Sequence, residues 1–145
     1  MKILVLNGPN LNFLGIREPA IYGSQTYDNL IAKINAHCEE KGIEVQCLQS
    51  NHEGTLIDYI QQAYFDKVDG IVINPGGYTH TSVVIRDAIA AIDTPVVEIH
   101  ISNIAAREEF RHTTLIGSVA IGSVVGFGLN SYRIGVEALK LHLEQ

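Results

Sequence analysis

KILVLN, residues 2–7, is an unbroken apolar run after one lysine, and it stops at an asparagine. Four apolar residues in a row, with no polar alternation, read as a strand buried on both faces. The segments beyond it alternate in kind. Residues 26–41 place Leu30, Ile31, Ile34 and Cys38 at helical spacing, with Gly42 as a natural stop. IEVQCLQ (43–49) alternates as a strand, and 55–67 is again helical through Leu56, Ile57, Ile60, Ala63 and Tyr64. GIVINPGG (70–77) is a strand running into a loop, 81–92 a helix ended before Pro95, and PVVEIHI (95–101) a fourth strand. A short helix is predicted over 105–111, a small-residue strand within 117–128 and a last helix over 130–144.

Strand and helix thus alternate from end to end, which predicts a parallel sheet covered on both faces. The expected architecture is α/β: a flavodoxin-like three-layer sandwich with a five-stranded parallel sheet in the order 2-1-3-4-5. Residues 1–145 read as one domain, with no repeat or linker.

Composition narrows the function classes. The chain is 46% hydrophobic and 18% charged, which fits a globular protein. Its net charge of −6 argues against a nucleic-acid or anionic-membrane partner. No apolar run approaches the ~20 residues of a membrane span, and the N-terminal run is too short for a signal-peptide core. A cytoplasmic protein is expected. Cys38 and Cys47 form no CxxC pair and read as free core thiols. His37 and His142, on helices, read as surface residues.

In such a sheet, ligands bind beyond the carboxyl ends of the strands. Polar residues collect there. Asn7, Asn10, Asn12, Arg17 and Tyr22 come after strand 1, and Ser50, Asn51, His52 and Glu53 after strand 2. Asn74, Tyr78 and His80 end strand 3; Glu98 and His100 lie on strand 4, with Ser102, Asn103, Arg107 and Arg111 beyond them. Familiar chemistries of this fold do not fit. The loop NGPNLNFLG lacks the hydroxyls and glycines of a flavin-phosphate loop. Asn7 and Asn74 stand where a phospho-receiver needs carboxylates, and no G-x-G-x-x-G comes after strand 1. The five lysines fall on the opposite rim or on helices, which leaves no Schiff-base lysine. No cofactor and no metal are expected. Acid–base chemistry remains, with arginines for anions, and the residues alone leave its agents open among His52, His80, His100, Glu53, Glu98, Tyr22 and Tyr78. A non-catalytic flavodoxin-like module binding a small polyhydroxy acid or a partner protein is the rival reading.

NGPNLNFLGIREPAIYG (7–23), QSNHEGTLIDYI (49–60), INPGGYTHTSVVIRDA (73–88), VEIHISNIAAREEFRHTT (97–114) and GFG (126–128) resemble the type II 3-dehydroquinate dehydratases, in family order along the whole chain. The resemblance implies a flavodoxin-like fold and reversible anti elimination of water from 3-dehydroquinate to 3-dehydroshikimate, through an enolate, in the shikimate or quinate pathways. It implies no cofactor and commonly a dodecamer built from trimers. It assigns Tyr22 as the base at C2, Arg17 as the cation that activates it on a lid loop, and Asn10 as holder of a water at the enolate. His100 becomes the acid for the C1 hydroxyl, beside Glu98, and Arg107 a second essential arginine. Asn74 and the backbone N–H groups of Ile101 and Ser102 are assigned to the carboxylate or its neighbouring hydroxyl, His80 and Arg111 to the ring hydroxyls. Asp87 is implied to reach a neighbouring subunit's site.

Elementary acid–base chemistry is consistent with such a base. A phenol with its reference pKa near 10 is about one part in a thousand phenolate at pH 7. Burial disfavours phenolate further, so a tyrosine base needs a cation. Arginine supplies charge without competing for the proton. In GIREPAIYG (15–23), the two glycines allow the loop to close and Pro19 stiffens its middle.

Overall fold

The alternation of side chains along each strand sorts the core into two halves. In β1 (Lys2–Asn7) Ile3 and Val5 point to one face and Leu4 and Leu6 to the other. The first set packs with Leu30, Ile34 and Cys38 of α2 (Tyr27–Glu40) and with Tyr132, Val136 and Leu139 of α5 (Asn130–Leu143). The second packs with Leu56 and Ile60 of α3 (Glu53–Phe65) and with Ile85 and Ile89 of α4 (Val83–Ala90). Each fully buried Leu or Ile contributes about 1.5–3 kcal/mol relative to exposure. Helices on both faces make three layers.

The computed structural model describes residues 1–145. β2 (Glu44–Gln49), β3 (Gly70–Asn74), β4 (Val96–His100) and β5 (Gly122–Val125) complete the sheet. Every pairing is parallel and the order is β2-β1-β3-β4-β5, as the sequence pattern anticipates. The chain leaves β1 for one edge and later returns past it to β3, so the switch point lies between β1 and β3. Register places Asn7 opposite Asn74 there. Gly8, one residue on, approaches the β3 loop so closely that a Cβ would sit 2.4 Å from the Pro75 carbonyl oxygen. Only glycine lets the two loops meet.

Between β1 and α2 runs the strap 15–25. Gly15 holds φ +85°, and its Cβ would press on the Ser24 carbonyl. The middle of the strap is not plain loop: Pro19–Tyr22 form one turn, α1, with the proline at its start. Glu18 just before it is left-handed at φ 41°, a costly conformation for a non-glycine residue. The strap ends at a capping box. Thr26 Oγ1 accepts from the Asn29 N–H and Asn29 Oδ1 from the Thr26 N–H, both at 3.1 Å, a device worth about 1 kcal/mol.

Two local expectations need correction. The helix over 105–111 is two 3-10 turns, Ile104–Ala106 and Glu109–Arg111, because Arg107 between them is extended. Its carbonyl accepts from the His112 ring instead of a helical N–H. The fifth strand falls within 117–128 as expected and spans four residues, Gly122–Val125. His37 is not on the surface. It falls on the buried stripe of α2, 8% exposed, with Nε2 2.9 Å from Glu137 Oε1 of α5. No helix of the chain is long and apolar enough to cross a membrane.

Candidate active site

A cavity of about 450 Å³ opens at the carboxyl edge of β1, β3 and β4. Asn10, Arg17, Tyr22, Asn74, His80, His100, Ile101, Ser102, Arg107 and Arg111 all line it. Of the residues the family resemblance assigns, Glu98 and Asp87 do not; of the wider acid–base candidates Tyr78 lines it, whereas His52 and Glu53 do not.

The strap brings Tyr22 over the cleft, where two arginines meet it differently. Arg107, 85 residues later, donates from Nη1 to the Tyr22 hydroxyl at 2.7 Å and to Ser102 Oγ at 3.3 Å. Both guanidinium groups face the ring, the Cζ atoms of Arg17 and Arg107 lying 5.0 and 5.4 Å from its centroid, but Arg17 makes no bond to the hydroxyl. Arg17 makes no salt bridge, whereas Arg107 Nη2 lies 3.6 Å from Glu18 on the strap. A charge at the hydroxyl acts on the ionising atom itself; a charge over the ring meets the π face. The family resemblance points to Arg17 as the activating cation, but Arg107 is the arginine at the hydroxyl.

On β4, period-two alternation turns Glu98 and His100 to the same face, inward of the cleft. Glu98 is 0% exposed. Its Oε2 accepts from His100 Nε2 at 2.7 Å, from Thr114 at 2.8 Å and from the Thr79 hydroxyl. Ser123 donates to Oε1 at 3.3 Å. Thr114 Oγ1 itself accepts two backbone N–H groups, of Ile116 and Gly117, which commits its own hydrogen to Glu98. Burial pushes the Glu98 carboxyl upward, but the hydrogen bonds from His100 and Thr79, the imidazole charge and Thr114 outweigh it and hold it below the usual range. An ionised Glu98 fixes His100 with Nε2–H toward the carboxylate, which leaves Nδ1 for the cleft.

His80 Nδ1 donates to the Thr113 carbonyl at 2.7 Å, so its Nε2 is the free nitrogen. Asn74, 3% exposed, offers an amide already tied to Gly76 and Tyr132. The N–H groups of Ile101 and Ser102 find no acceptor within the chain, an arrangement that suits an anion. Arg111 is drawn to Glu108 at 2.7 Å, and Glu108 also lies 3.8 Å from Arg107. Asn10, left-handed at φ 69°, donates its N–H to Asn51 Oδ1. Asp87 sits on α4, exposed and paired with Arg86 at 3.3 Å, away from its own chain's cleft. No lysine lines the cavity. Cys38 and Cys47 are free thiols; burial raises the first and pushes the second up to about 12, so neither is a nucleophile at neutral pH.

Sequence reasoning missed the hydroxyls around Glu98 and missed Tyr132. Thr79, Thr114 and Ser123 lie 19, 16 and 25 residues from Glu98, and nothing local marks them. A buried carboxylate on an apolar strand was the available signal, since such a group needs donors.

Fold and cleft together define an α/β protein of flavodoxin-like form, with an arginine-rich acid–base site at the strand switch point. The profile of the family "Dehydroquinase class II" matches residues 1–140. A 3-dehydroquinate dehydratase of Caldicellulosiruptor bescii is 56% identical over 139 residues, 96% of each chain. The type II dehydroquinase structure from Butyrivibrio crossotus superposes with a TM-score of 0.96 at 56% identity, covering 97% of both chains. That from Propionibacterium acnes gives 0.92 at 42% identity, covering 99% of this chain and 97% of the other. The chain belongs to the class II dehydroquinase family, the type II 3-dehydroquinate dehydratases.

Proposed function

We propose that residues 1–145 act as a single catalytic domain that dehydrates 3-dehydroquinate to 3-dehydroshikimate by anti elimination, through an enolate and without a Schiff base. The hydrogen at C2 is acidic because C3 is a ketone, and the C1 hydroxyl leaves from the neighbouring carbon. Tyr22 removes the C2 proton as phenolate. Holding a phenol as phenolate at pH 7 costs about 4 kcal/mol from its reference ionisation. One guanidinium at about 4 Å in a partly screened site is worth about 4 kcal/mol. Arg107 at the hydroxyl and Arg17 over the ring are the cations placed to favour the phenolate. The strap excludes water when substrate is bound, which strengthens that interaction.

The enolate oxygen is stabilised by a water held at Asn10. His100, held by Glu98 and turned to the cleft, gives a proton to the departing C1 hydroxyl as it leaves as water. The N–H groups of Ile101 and Ser102, the Ser102 hydroxyl and Asn74 take the carboxylate and its neighbouring hydroxyl. His80 and Arg111 take the ring hydroxyls. Asp87, turned away from its own cleft, reaches a neighbouring subunit's site in a dodecamer of trimers. The setting is the shikimate or quinate pathway, in the cytoplasm, with neither cofactor nor metal.

The observation that carries this reading is the Arg107–Tyr22 hydrogen bond at 2.7 Å inside a cleft without lysine. Incubation with 3-dehydroquinate, monitored by the rise of enone absorbance, tests it. Folded protein that yields no enone would sink the proposal.

A further inference from the structure

At the carboxyl ends of β1 and β3 runs a buried hydrogen-bond chain of which the reaction scheme uses only Asn74. Asn7 and Asn74 are register partners, 0% and 3% exposed. Tyr132 of α5 closes against both, 125 and 58 residues away, and is itself fully buried. Its hydroxyl lies 2.5 Å from Asn7 Oδ1 and 2.9 Å from Asn74 Nδ2. Asn74 Oδ1 lies 3.1 Å from the Gly76 N–H.

These contacts admit one direction of donation. The Gly76 N–H can only donate, so the Asn74 atom facing it is the oxygen. That turns Asn74 Nδ2 toward Tyr132, whose oxygen accepts. The single hydroxyl hydrogen of Tyr132 is then free to go to Asn7 Oδ1. Reversing the Asn74 amide would set two donors against each other at Gly76. Burial raises the Tyr132 hydroxyl well above its ordinary value, so it stays a neutral O–H throughout the working pH range. An aromatic ring at this place is explained by packing against α2 and the sheet. The hydroxyl is not, since phenylalanine would fill the same space in the core.

We infer that Tyr132 is a positioning residue: its hydroxyl locks the orientation of the Asn74 amide, and with it the one N–H and one carbonyl lone pair that Asn74 presents to the cleft. The inference rests on the reading of Asn74 as a substrate-binding residue. A group that only orients Asn74 serves ground state and transition state alike, so it affects KM rather than kcat. No member of the chain changes charge near neutrality, so the pH profile does not move.

The test is a double-mutant cycle of Tyr132→Phe and Asn74→Ala, with KM, kcat, pH profile and Tm for each protein. Tyr132→Phe is expected to raise KM up to about tenfold, the size of one hydrogen bond, with kcat within about twofold and an unshifted profile. In the Asn74→Ala background it adds nothing further to KM but still lowers Tm. A purely structural tyrosine would lower Tm and leave KM unchanged, or would raise KM by the same factor in both backgrounds; either result overturns the inference. Should Asn74→Ala leave KM unchanged, the substrate role of Asn74 falls and this inference with it. Failure of Tyr132→Phe alone removes only the inference. If Tyr132→Phe does not fold, Asn7→Ala releases the same hydroxyl from its far end. It should raise KM in wild type and not in Asn74→Ala; a rise in both, or in neither, rules out the chain.

Discussion

The cleft has two walls built on opposite terms. One is the strap 15–25, which carries Arg17 and Tyr22. It packs few apolar residues into the core and is tied to the body of the site by the Arg107 hydrogen bond to Tyr22 and the looser Arg107–Glu18 pair. The other is the sheet edge, where Asn74, Glu98 and His100 are buried and held by fixed hydrogen-bond partners. In the proposed scheme the base sits on the loosely tied strap, and the acid and the anion-binding groups on the tightly bonded sheet edge. Such a scheme puts precision where proton donation to a leaving group requires it and freedom where substrate must enter. Arg107 belongs to both walls, since it is anchored beside Ser102 yet grips the strap.

Substitutions should separate the walls. On the strap, rate should fall while stability holds; on the sheet edge, the two should fall together. The largest loss belongs to Tyr22→Phe, with kcat down about 10³-fold or more and Tm nearly unchanged. Arg107→Gln comes next, at about 10²–10³-fold in kcat, with faster proteolytic cleavage within 15–25 because the strap loses its tether. Arg17→Gln should cost less, about 10²-fold, and leave cleavage unaltered. Equal or reversed costs for the two arginines, read from steady-state rates, would erase the division between hydroxyl and ring face.

Effects on the sheet edge are smaller in rate and larger in stability. Thr79→Val should destabilise by about 1.5–3 kcal/mol at neutral pH, the worth of a hydrogen bond to a charged acceptor. The depressed Glu98 carboxyl sets the sign with pH. Its contribution to stability is complete above the ordinary value of 4.5 and is lost as pH falls through the lower folded value. The gap between wild type and Thr79→Val in denaturant titrations should therefore narrow in acid. A gap independent of pH would mean that Thr79 acts by packing alone.

Much of this was legible in the sequence, for identifiable reasons. The unbroken apolar runs of β1 and β3 and the Leu30–Ile34–Cys38 stripe are local patterns, and strand–helix alternation carries most of the topology. The alternation of Glu98 and His100 already placed them on one face. What escaped depends on approaches between distant segments. Arg107 and Tyr22 are 85 residues apart, and no spacing rule says which arginine reaches the hydroxyl. Three hydroxyls around Glu98 come from three separate segments. His37 looked like a solvated helix residue, because the Glu137 that faces it lies on α5. Tyr132 sits at core spacing on α5, where its ring explains its place and its hydroxyl goes unnoticed.

The proposed removal of the C2 proton by Tyr22 can be tested without waiting for product. Wild type and Tyr22→Phe are incubated with 3-dehydroquinate in D₂O, and NMR records both enone formation and C2 hydrogen exchange. Substrate affinity and Tm serve as controls for binding and folding. Wild type should form product, whereas Tyr22→Phe should bind substrate, stay folded and give neither product nor exchange. Product or exchange at wild-type rates in Tyr22→Phe would be incompatible with a Tyr22 base and would hand that role to Tyr78 or His80.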